Sequence, residues 1–459
     1  MPLAYPKIPL QILIFLFVST LIFVFLLFGF PIQNTIVLFL ATVVFVIAFL
    51  NTNIALIIII ISMLLSPEIQ AGRVATRTVN LRVEDIFIFV VFFGWLARMA
   101  IRKELGLLRK NPLNAPIIIY FTICVVSTLL ALLEGKGFPK DAFFYLLKYF
   151  EYYLIFFMVT NNLHSVFQAK VFVYTMLITC FIVCAIAWTQ IPTGQRLSAP
   201  FESEGGEPNT FAGYLNLMMA LIIAFAIYAK TLKMRLVWIG FFFFAFVPFL
   251  YTLSREGWIS FIPLLFAFIV LNKRARAVLI LFSLTSFVFL PPLLPKHIHK
   301  RAQDTFAKEK SYKLFGRKIY VSESTADRIE AWKKAMVKIR RKPILGRGVP
   351  GGSVIDNQYT RVLTETGLVG FTSFMWIIIL LFRFALRTYR QTEDDFIKAI
   401  SLGFLGGFVA LLFQGLGAAV FILIRIMEPF WFLAALVLTL PEVKAEERMQ
   451  LLNNTEYVR

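Results

Sequence analysis

The sequence predicts an all-α, polytopic integral membrane protein with about 12 to 14 transmembrane helices and one long extracytoplasmic loop that contains an amphipathic helix. Of the 459 residues, 59% are hydrophobic and 16% are charged, whereas a soluble domain is about half apolar and about a quarter charged. Apolar runs of about 17 to 25 residues recur along the chain, and a helix of that length crosses a bilayer. The segment 294–357 is long and polar enough to lie outside the membrane.

We expect each long apolar run to form a membrane-spanning helix. The first run is too long for the core of a signal peptide and lacks a small-residue cleavage site, so it should be retained. The expected spans are 8–30, 34–50, 53–66, 84–101, 114–133, 147–163, 171–190, 210–229, 235–253, 257–272, 277–293, 358–382, 396–416 and 423–440.

The charge pattern of the short loops predicts the orientation in the membrane. Loops rich in Lys and Arg mark the cytoplasmic side, and they occur at 98–110, 230–235, 273–276 and 383–390. Alternation from these loops places both termini in the cytoplasm. It places outside the membrane the segments 67–83, 134–146, 191–209, 254–256 and 294–357.

This pattern divides the chain into four parts. We expect transmembrane helices over 1–293, the extracytoplasmic loop over 294–357, C-terminal transmembrane helices over 358–440 and a cytoplasmic tail over 441–459. The same alternation predicts that the functional site lies on the side of the membrane opposite the cytoplasm.

The long loop is strongly basic. It carries sixteen Lys and Arg residues against six acidic residues, which favours a partner that bears phosphate or acidic sugar. The net charge of +20 could also suit nucleic acid, but the chain has no soluble domain with a nucleic-acid motif. We therefore expect a membrane-associated partner and no nucleic acid.

Part of the loop, from Thr325 to Lys342, has the pattern of an amphipathic helix. Apolar residues recur there at steps of three and four, at Ile329, Trp332, Met336 and Ile339. Ser324 or Thr325 should cap its start and Pro343 should end it, and a basic amphipathic helix here should lie along the bilayer surface. The glycines that follow, Gly346, Gly348, Gly351 and Gly352, predict a flexible connection back into the membrane.

Few features of the sequence favour a metal or a cofactor, and we expect neither. The cysteines Cys124, Cys180 and Cys184 fall in apolar runs and read as packing residues. Two weaker signals remain. Glu84 and Asp85 could hold a metal at the outer mouth of the fourth span, and Arg425 and Glu428 could pair or line a cavity.

Three arginines on the outer side are candidates for binding phosphate. Arg255 lies between two apolar runs with almost no loop, so it must sit at the membrane boundary, where it could clamp phosphate or pair with Glu256. Arg196 is the only cation of its loop, and it could face phosphate or balance three glutamates. Arg328, in the first turn of the amphipathic helix, could bind phosphate or extend its charge to the interface.

Acidic and amide residues complete the outer set. Asp356 directly precedes a span, so it could act as a general base toward an acceptor hydroxyl, or with Asn357 it could cap the helix. An ordinary aspartate is a weak base, so the catalytic role needs an environment that strengthens it. Asn209 or Thr210 could similarly cap the helix that follows 191–209.

Taken in order, these elements resemble the O-antigen ligase and O-antigen polymerase superfamily of bacterial membrane glycosyltransferases. The resemblance covers roughly 190–375 and rests on an ordered set of short motifs. They are Arg196 with Pro208–Tyr214, Ser254–Trp258, Arg328 with Trp332, Pro343, Gly346 and Gly348, and Asp356–Tyr359 followed by Leu363, Glu365, Gly367, Leu368 and Gly370.

The resemblance implies an inverting, metal-independent enzyme that moves a glycan from undecaprenyl pyrophosphate to an acceptor hydroxyl on a lipid, glycan or protein. It implies Arg255, Arg328 and Arg196 on the pyrophosphate and Asp356 as the catalytic base. Asn357, Asn209 and Glu365 would have supporting roles. Related ligases carry His at the position of Asp356, and this departure favours a polymerase or a non-classical ligase over a lipopolysaccharide ligase.

Two alternatives remain open at this point. A protein O-oligosaccharyltransferase would use the same donor with a protein acceptor. A transporter or flippase of anionic envelope precursors would instead use the basic loop as a substrate funnel. Transporters usually show internal repeats and broken central helices, and the sequence shows neither clearly.

Overall fold

The structure, a computed structural model, describes residues 32–74, 77–101, 109–135, 139–202, 206–293, 295–303, 310–314, 317–321, 323–351 and 355–456. These residues form a helical protein with two short antiparallel hairpins. The first helices and hairpin are α1 (Ile32–Leu50), α2 (Thr52–Leu65), β1 (Glu68–Val74), β2 (Arg77–Arg82), α3 (Val83–Ile101), α4 (Asn114–Leu133), α5 (Pro139–Asn162), α6 (Val166–Gln190), α7 (Pro208–Ile227) and α8 (Leu232–Tyr251).

The remaining elements follow in chain order. They are α9 (Arg255–Leu271), α10 (Arg276–Leu293), α11 (Lys296–Gln303), β3 (Lys310–Leu314), β4 (Arg317–Val321), α12 (Glu323–Arg341), α13 (Gln358–Gln391), α14 (Asp395–Gln414) and α15 (Ile424–Glu456). Strand β1 pairs with β2 and β3 pairs with β4, each pair antiparallel. Both hairpins lie in segments predicted to be outside the membrane.

The predicted fold class is confirmed. Each expected span from 34–50 onward overlaps a helix, and the first expected span, 8–30, lies outside the described residues. Among the described residues, eight helices are long and apolar enough to cross a membrane. The protein is therefore a helical, multi-pass membrane protein.

Helices α7, α9 and α14 form the central part of the bundle. Small residues let them approach closely, because a Cβ on Gly403 of α14 would lie 2.7 Å from the Cα of Leu221 in α7. A Cβ on Gly257 of α9 would lie 2.6 Å from the Cβ of Ala212 in α7. This packing brings the start of α7, the start of α9 and the end of α14 together at the end of the bundle predicted to face outward.

The amphipathic helix predicted at 325–342 is present as α12. It begins at Glu323, so Ser324 and Thr325 lie within its first turn and the cap predicted there is wrong. Pro343 follows its end as expected. Small residues, Ala326 and Ala335, are buried on this helix, while Trp332 and Met336 of the predicted apolar face remain exposed. Those exposed side chains are available to a bilayer surface.

Three of the four glycines after α12 do not form the flexible connection that was predicted, and the fourth, Gly352, lies outside the described residues. Gly346, Gly348 and Gly351 are buried, and each has a positive φ that disfavours other residues. The backbone amides of Arg347 and Gly348 donate to the carbonyl oxygens of Thr364 and Glu365, at 3.0 and 2.9 Å. The segment 343–348 is thereby fixed against α13, because its own polar groups are satisfied there.

Helix α13 is interrupted at the same place. Gly367 has φ of 64° and ψ of −163°, which is not a helical conformation. The backbone amides of Leu368 and Val369 donate to the carbonyl oxygens of Pro343 and Ile344, at 2.8 and 3.2 Å. A broken helix, which the sequence did not indicate, is thus stabilised by the segment 343–348 rather than left open.

Replacing Gly367 by Ala should strongly destabilise the protein. A Cβ there would lie 2.2 Å from the carbonyl oxygen of Ile344, and the positive φ adds about 1 kcal/mol or more of strain. We expect a lower thermal unfolding midpoint in detergent for Gly367→Ala. The matched control is Gly240→Ala on α8, where nothing lies within 4 Å of the added atom. Equal midpoints for the two variants would contradict the prediction.

Candidate active site

A network of polar side chains joins three helix ends. Ser254 caps α9 by accepting a hydrogen bond from the amide of Gly257 at 3.2 Å, and its hydroxyl donates to Oδ1 of Asn209 at 2.6 Å. The backbone carbonyl of Asn209 accepts from Nε2 of Gln414 at 2.9 Å. Asn209 therefore links the start of α7 to the start of α9 and the end of α14.

The capping role predicted for Asn209 or Thr210 is wrong. Helix α7 begins at Pro208, and Glu207 occupies the cap position. A proline is favoured at the first helical position because its missing N–H would have no helical partner there. Asn209 thus lies inside the first turn, which leaves its side chain to bond Ser254.

Arginine side chains gather over this network. Arg196 donates from Nε to the carbonyl of Thr252 at 3.3 Å and from Nη2 to the carbonyl of Leu253 at 3.2 Å. Arg301 of α11 donates to the same Leu253 carbonyl at 3.4 Å. Leu253 has φ of 51°, which turns the backbone sharply between α8 and α9. Two guanidinium groups are thereby held at one turn.

The charges of these groups affect each other. Partial burial and the Arg301 guanidinium lower the pKa of Arg196, with Arg255 contributing in the same direction and Glu256 opposing it. Cations placed this close repel each other, and an anion between them relieves the repulsion. The turn before α9 is therefore suited to bind a negatively charged group.

The fourth arginine reaches this place from the long loop. Arg328 of α12 forms an ion pair with Glu256 in the first turn of α9. Glu256 packs against backbone, since a Cβ on Gly417 would lie 2.5 Å from Cγ of Glu256. The pair brings α12 next to the place where the start of α7, the start of α9 and the end of α14 meet. We call this place the mouth.

Asp356 directly precedes the residue that joins α13 to the segment after α14. Asn357 caps α13 by accepting from the amide of Thr360 at 2.9 Å, and its Nδ2 donates to the carbonyl of Leu416 at 2.8 Å. Leu416 precedes Gly417, the residue that contacts Glu256. Asn357 therefore has a structural role, whereas the side chain of Asp356 is exposed. Asp356 therefore directly precedes the link from Asn357 to the segment after α14.

Glu365 lies deeper in α13. Its carboxylate pairs with Arg361 at 2.8 Å and accepts from the hydroxyl of Tyr149 at 3.4 Å. It is 1% exposed, and its backbone carbonyl accepts from Ser127 Oγ at 2.7 Å and from Gly348. This residue supports the docking of the segment 343–348 rather than the mouth itself.

Several residues of the mouth have no signal in the sequence. Arg301 is one of many cations in the basic loop, and Gln414 and Gly417 stand at the end of an apolar run. The pairing of Glu256 with Arg328 joins residues from distant helices. Such contacts depend on how the helices pack, so local patterns do not reveal them.

The part of the chain that carries Arg255, Arg328 and Asp356 is also the part that a known family matches. Residues 240–375 match the O-antigen ligase family model. The resemblance predicted from the sequence is confirmed over this stretch. No curated protein matches the chain.

The O-antigen ligase match runs from α8 into the first half of α13. It includes the α9 turn, α12, the fixed glycine segment and the start of α13. Arg196, Asn209 and Gln414 lie outside it, and the structure places them at the same mouth. The match supports glycosyl transfer of the O-antigen ligase type by a multi-pass membrane protein that acts on lipid and glycan partners.

Proposed function

We propose that this protein transfers a glycan from undecaprenyl pyrophosphate to an acceptor hydroxyl at the outer face of the inner membrane. The observation that carries the proposal is the convergence of Arg196, Arg255, Arg301 and Arg328 on the α9 turn. Asp356 directly precedes Asn357, whose side chain bonds the segment after α14. Both termini would lie in the cytoplasm under this proposal, and the mouth would face outward.

The arginines would act on the leaving group. Breaking the bond between the sugar and the pyrophosphate places negative charge on a phosphate oxygen, and fixed cations lower the energy of that charge. Arg255 and Arg328 would contact the pyrophosphate and Arg196 would assist them. Glu256 would position Arg328 beforehand, because the pair holds its guanidinium at the mouth. This chemistry requires no metal ion.

Asp356 would act on the acceptor. Its carboxylate would take the proton of the acceptor hydroxyl while that oxygen attacks the anomeric carbon and the sugar–pyrophosphate bond breaks. Attack from the face opposite the leaving group inverts the anomeric configuration. One C–O bond forms and one breaks, and the electron pair leaves with the pyrophosphate.

A reconstituted assay tests the enzyme against the transporter. Proteoliposomes would be given a pyrophosphate-linked oligosaccharide and a hydroxyl acceptor, and products would be separated by mass spectrometry. We expect a new glycosidic product that depends on Asp356 and not on Glu330, an exposed acid of α12. Donor lipid that crosses the bilayer unmodified would instead indicate a transporter. The break in α13 resembles that class, but residues 343–348 fill it.

The acceptor would be found from a deletion strain. Accumulation of uncapped lipid core would indicate a ligase, and single-repeat chains would indicate a polymerase. Unglycosylated protein would indicate a protein O-oligosaccharyltransferase. The aspartate at 356 favours the polymerase or a non-classical ligase among these outcomes.

A further inference from the structure

A second cluster of charged residues lies inside the bundle, away from the mouth. Asp85 of α3, Glu151 of α5 and Glu428 of α15 each offer one carboxylate oxygen, and these oxygens lie within 4.8 Å of one another. All three side chains are buried, at 7%, 2% and 0% exposure. Three carboxyl groups from three helices thus converge on one point that water does not reach.

The cluster contains acceptors that the protein does not satisfy. Asp85 accepts from the amide of Arg82 through Oδ2 at 2.9 Å, and this leaves Oδ1 directed elsewhere. Neither carboxylate oxygen of Glu428 accepts a hydrogen bond from any described residue. Glu428 is completely buried and points into the cluster. A buried carboxylate without a partner is costly, so either a proton or a bound cation compensates for it.

Neighbouring charges do not balance the cluster. Glu84 is also completely buried, and one of its oxygens lies 3.6 Å from Arg82 Nη1. Arg82 and Arg425 are the cations that act on Glu428. The carboxyl groups of Glu84, Asp85, Glu151 and Glu428 therefore outnumber these two guanidinium groups, and Arg425 also lies near Glu202. A cation bound at the cluster would offset negative charge that the arginines do not.

A shared proton is the simpler way to hold two carboxyl groups together, but it does not explain this arrangement. Asp85 and Glu151 are close enough to share one. Glu428 would still have two unsatisfied oxygens. A cation bound by oxygens from three helices satisfies all three carboxylates at once.

The spacing also fits a metal ion. Oxygen ligands lie about 2.3 to 2.6 Å from Ca²⁺ and about 2.0 to 2.1 Å from Mg²⁺. Ligands on opposite sides of such an ion are roughly 4 to 5 Å apart, which agrees with the 4.8 Å limit in the cluster. Carboxylate oxygens without sulfur or imidazole ligands favour these hard cations over zinc or copper.

We propose that Asp85, Glu151 and Glu428 bind one hard divalent cation, Ca²⁺ or Mg²⁺, that fastens α3, α5 and α15 together. This site is structural and does not depend on the proposed transfer reaction.

The site would also support the loop that carries Arg196. Arg425 donates from Nη1 to the carbonyl of Pro200 at 2.6 Å, and its Nε lies 3.8 Å from a carboxylate oxygen of Glu202. Arg425 precedes Glu428 by one helical turn and acts on it electrostatically. Arg425 therefore connects the helix that carries Glu428 to this loop.

The test uses the purified full-length protein in detergent. The protein would be treated with EDTA, dialysed against Ca²⁺ or Mg²⁺, and its metal content measured by mass spectrometry. We expect about one bound ion per chain and a thermal unfolding midpoint several degrees above that of the EDTA-treated protein. Glu428→Gln should lose both effects, while Glu442→Gln, an exposed acid on the same helix, should retain them.

The wild-type measurement decides the question even if Glu428→Gln does not fold. A monodisperse wild-type protein that retains no Ca²⁺ or Mg²⁺ would show that protons hold the cluster, and the proposal would be wrong. Equal metal content in wild type and a folded Glu151→Gln variant would also overturn it. Loss of glycan transfer alone does neither, since the readouts here are metal content and stability.

Discussion

Asp356→Asn is expected to lower the rate of glycan transfer at least about a hundredfold, the usual contribution of a general base. The substitution keeps the size and polarity of the side chain but removes its ability to take a proton. The side chain is exposed and the cap of α13 belongs to Asn357, so folding should be unchanged. Initial rates in proteoliposomes, with size-exclusion profiles to check folding, measure the effect.

Asp356→His makes this prediction sharper. Histidine is also a general base, and the family resemblance places His at this position in related ligases. Partial recovery of transfer, with a pH profile shifted upward, is therefore expected. Glu330→Gln, which removes an exposed acid from α12, is the matched control and should leave the rate unchanged. Asp356→Asn activity within about threefold of wild type would exclude the base role.

Arg255→Ala is expected to lower kcat/KM by about a hundredfold to a thousandfold, as when one fixed donor to a developing anion is removed. Arg255→Lys should recover only part of this, because an ammonium group cannot form two parallel hydrogen bonds to phosphate. Arg340→Ala removes an exposed guanidinium from α12 and is the control. Steady-state kinetics with the lipid-linked donor measure the effect.

A second measurement tests whether Arg255 contacts the pyrophosphate of the donor. If Arg255 contacts the pyrophosphate, inorganic pyrophosphate should inhibit the wild-type enzyme more strongly than Arg255→Ala. Equal inhibition of both, or equal kcat/KM in Arg255→Ala and Arg340→Ala, would remove Arg255 from the site.

The helices were predictable because the membrane imposes a length and a composition on each of them. A run such as 114–133 must satisfy its own backbone in lipid, and so it coincides with α4. The presence of α12 and its end just before Pro343 likewise follow from local patterns. Each of these features depends on residues that are neighbours in sequence.

The predictions that were wrong or missing concern features that depend on residues far apart in the sequence. The glycines near Gly346 in the sequence predict a flexible segment, but the conformation of Gly346 is fixed by the backbone of Glu365 on another element. Asn209 was predicted to be a helix cap, but Pro208 starts the helix and the side chain of Asn209 accepts a hydrogen bond from Ser254. The convergence of Asp85, Glu151 and Glu428 joins three separate helices. Packing between helices decides the first and the third, and it supplies Ser254 as the partner of Asn209. A single sequence does not encode such packing locally.

The arginines of the mouth were found individually, but their grouping was not. Arg196, Arg255 and Arg328 stood out because an arginine at a membrane boundary is costly. Arg301, with Leu253 as its acceptor, was hidden among other basic residues. The roles of all these residues in transfer remain predictions for the experiments above.

Because the segment 343–348 is attached to α13, α12 can rotate only about its C-terminal end. The helix is fixed at its C-terminal end, and at about 1.5 Å per residue Arg328 lies roughly 20 Å from that fixed point. A tilt of about 10° would move its guanidinium by roughly 4 Å, which is the reach of one ion pair. If Arg328 binds the pyrophosphate as proposed, a rotation of this size would be enough to move its guanidinium away from Glu256.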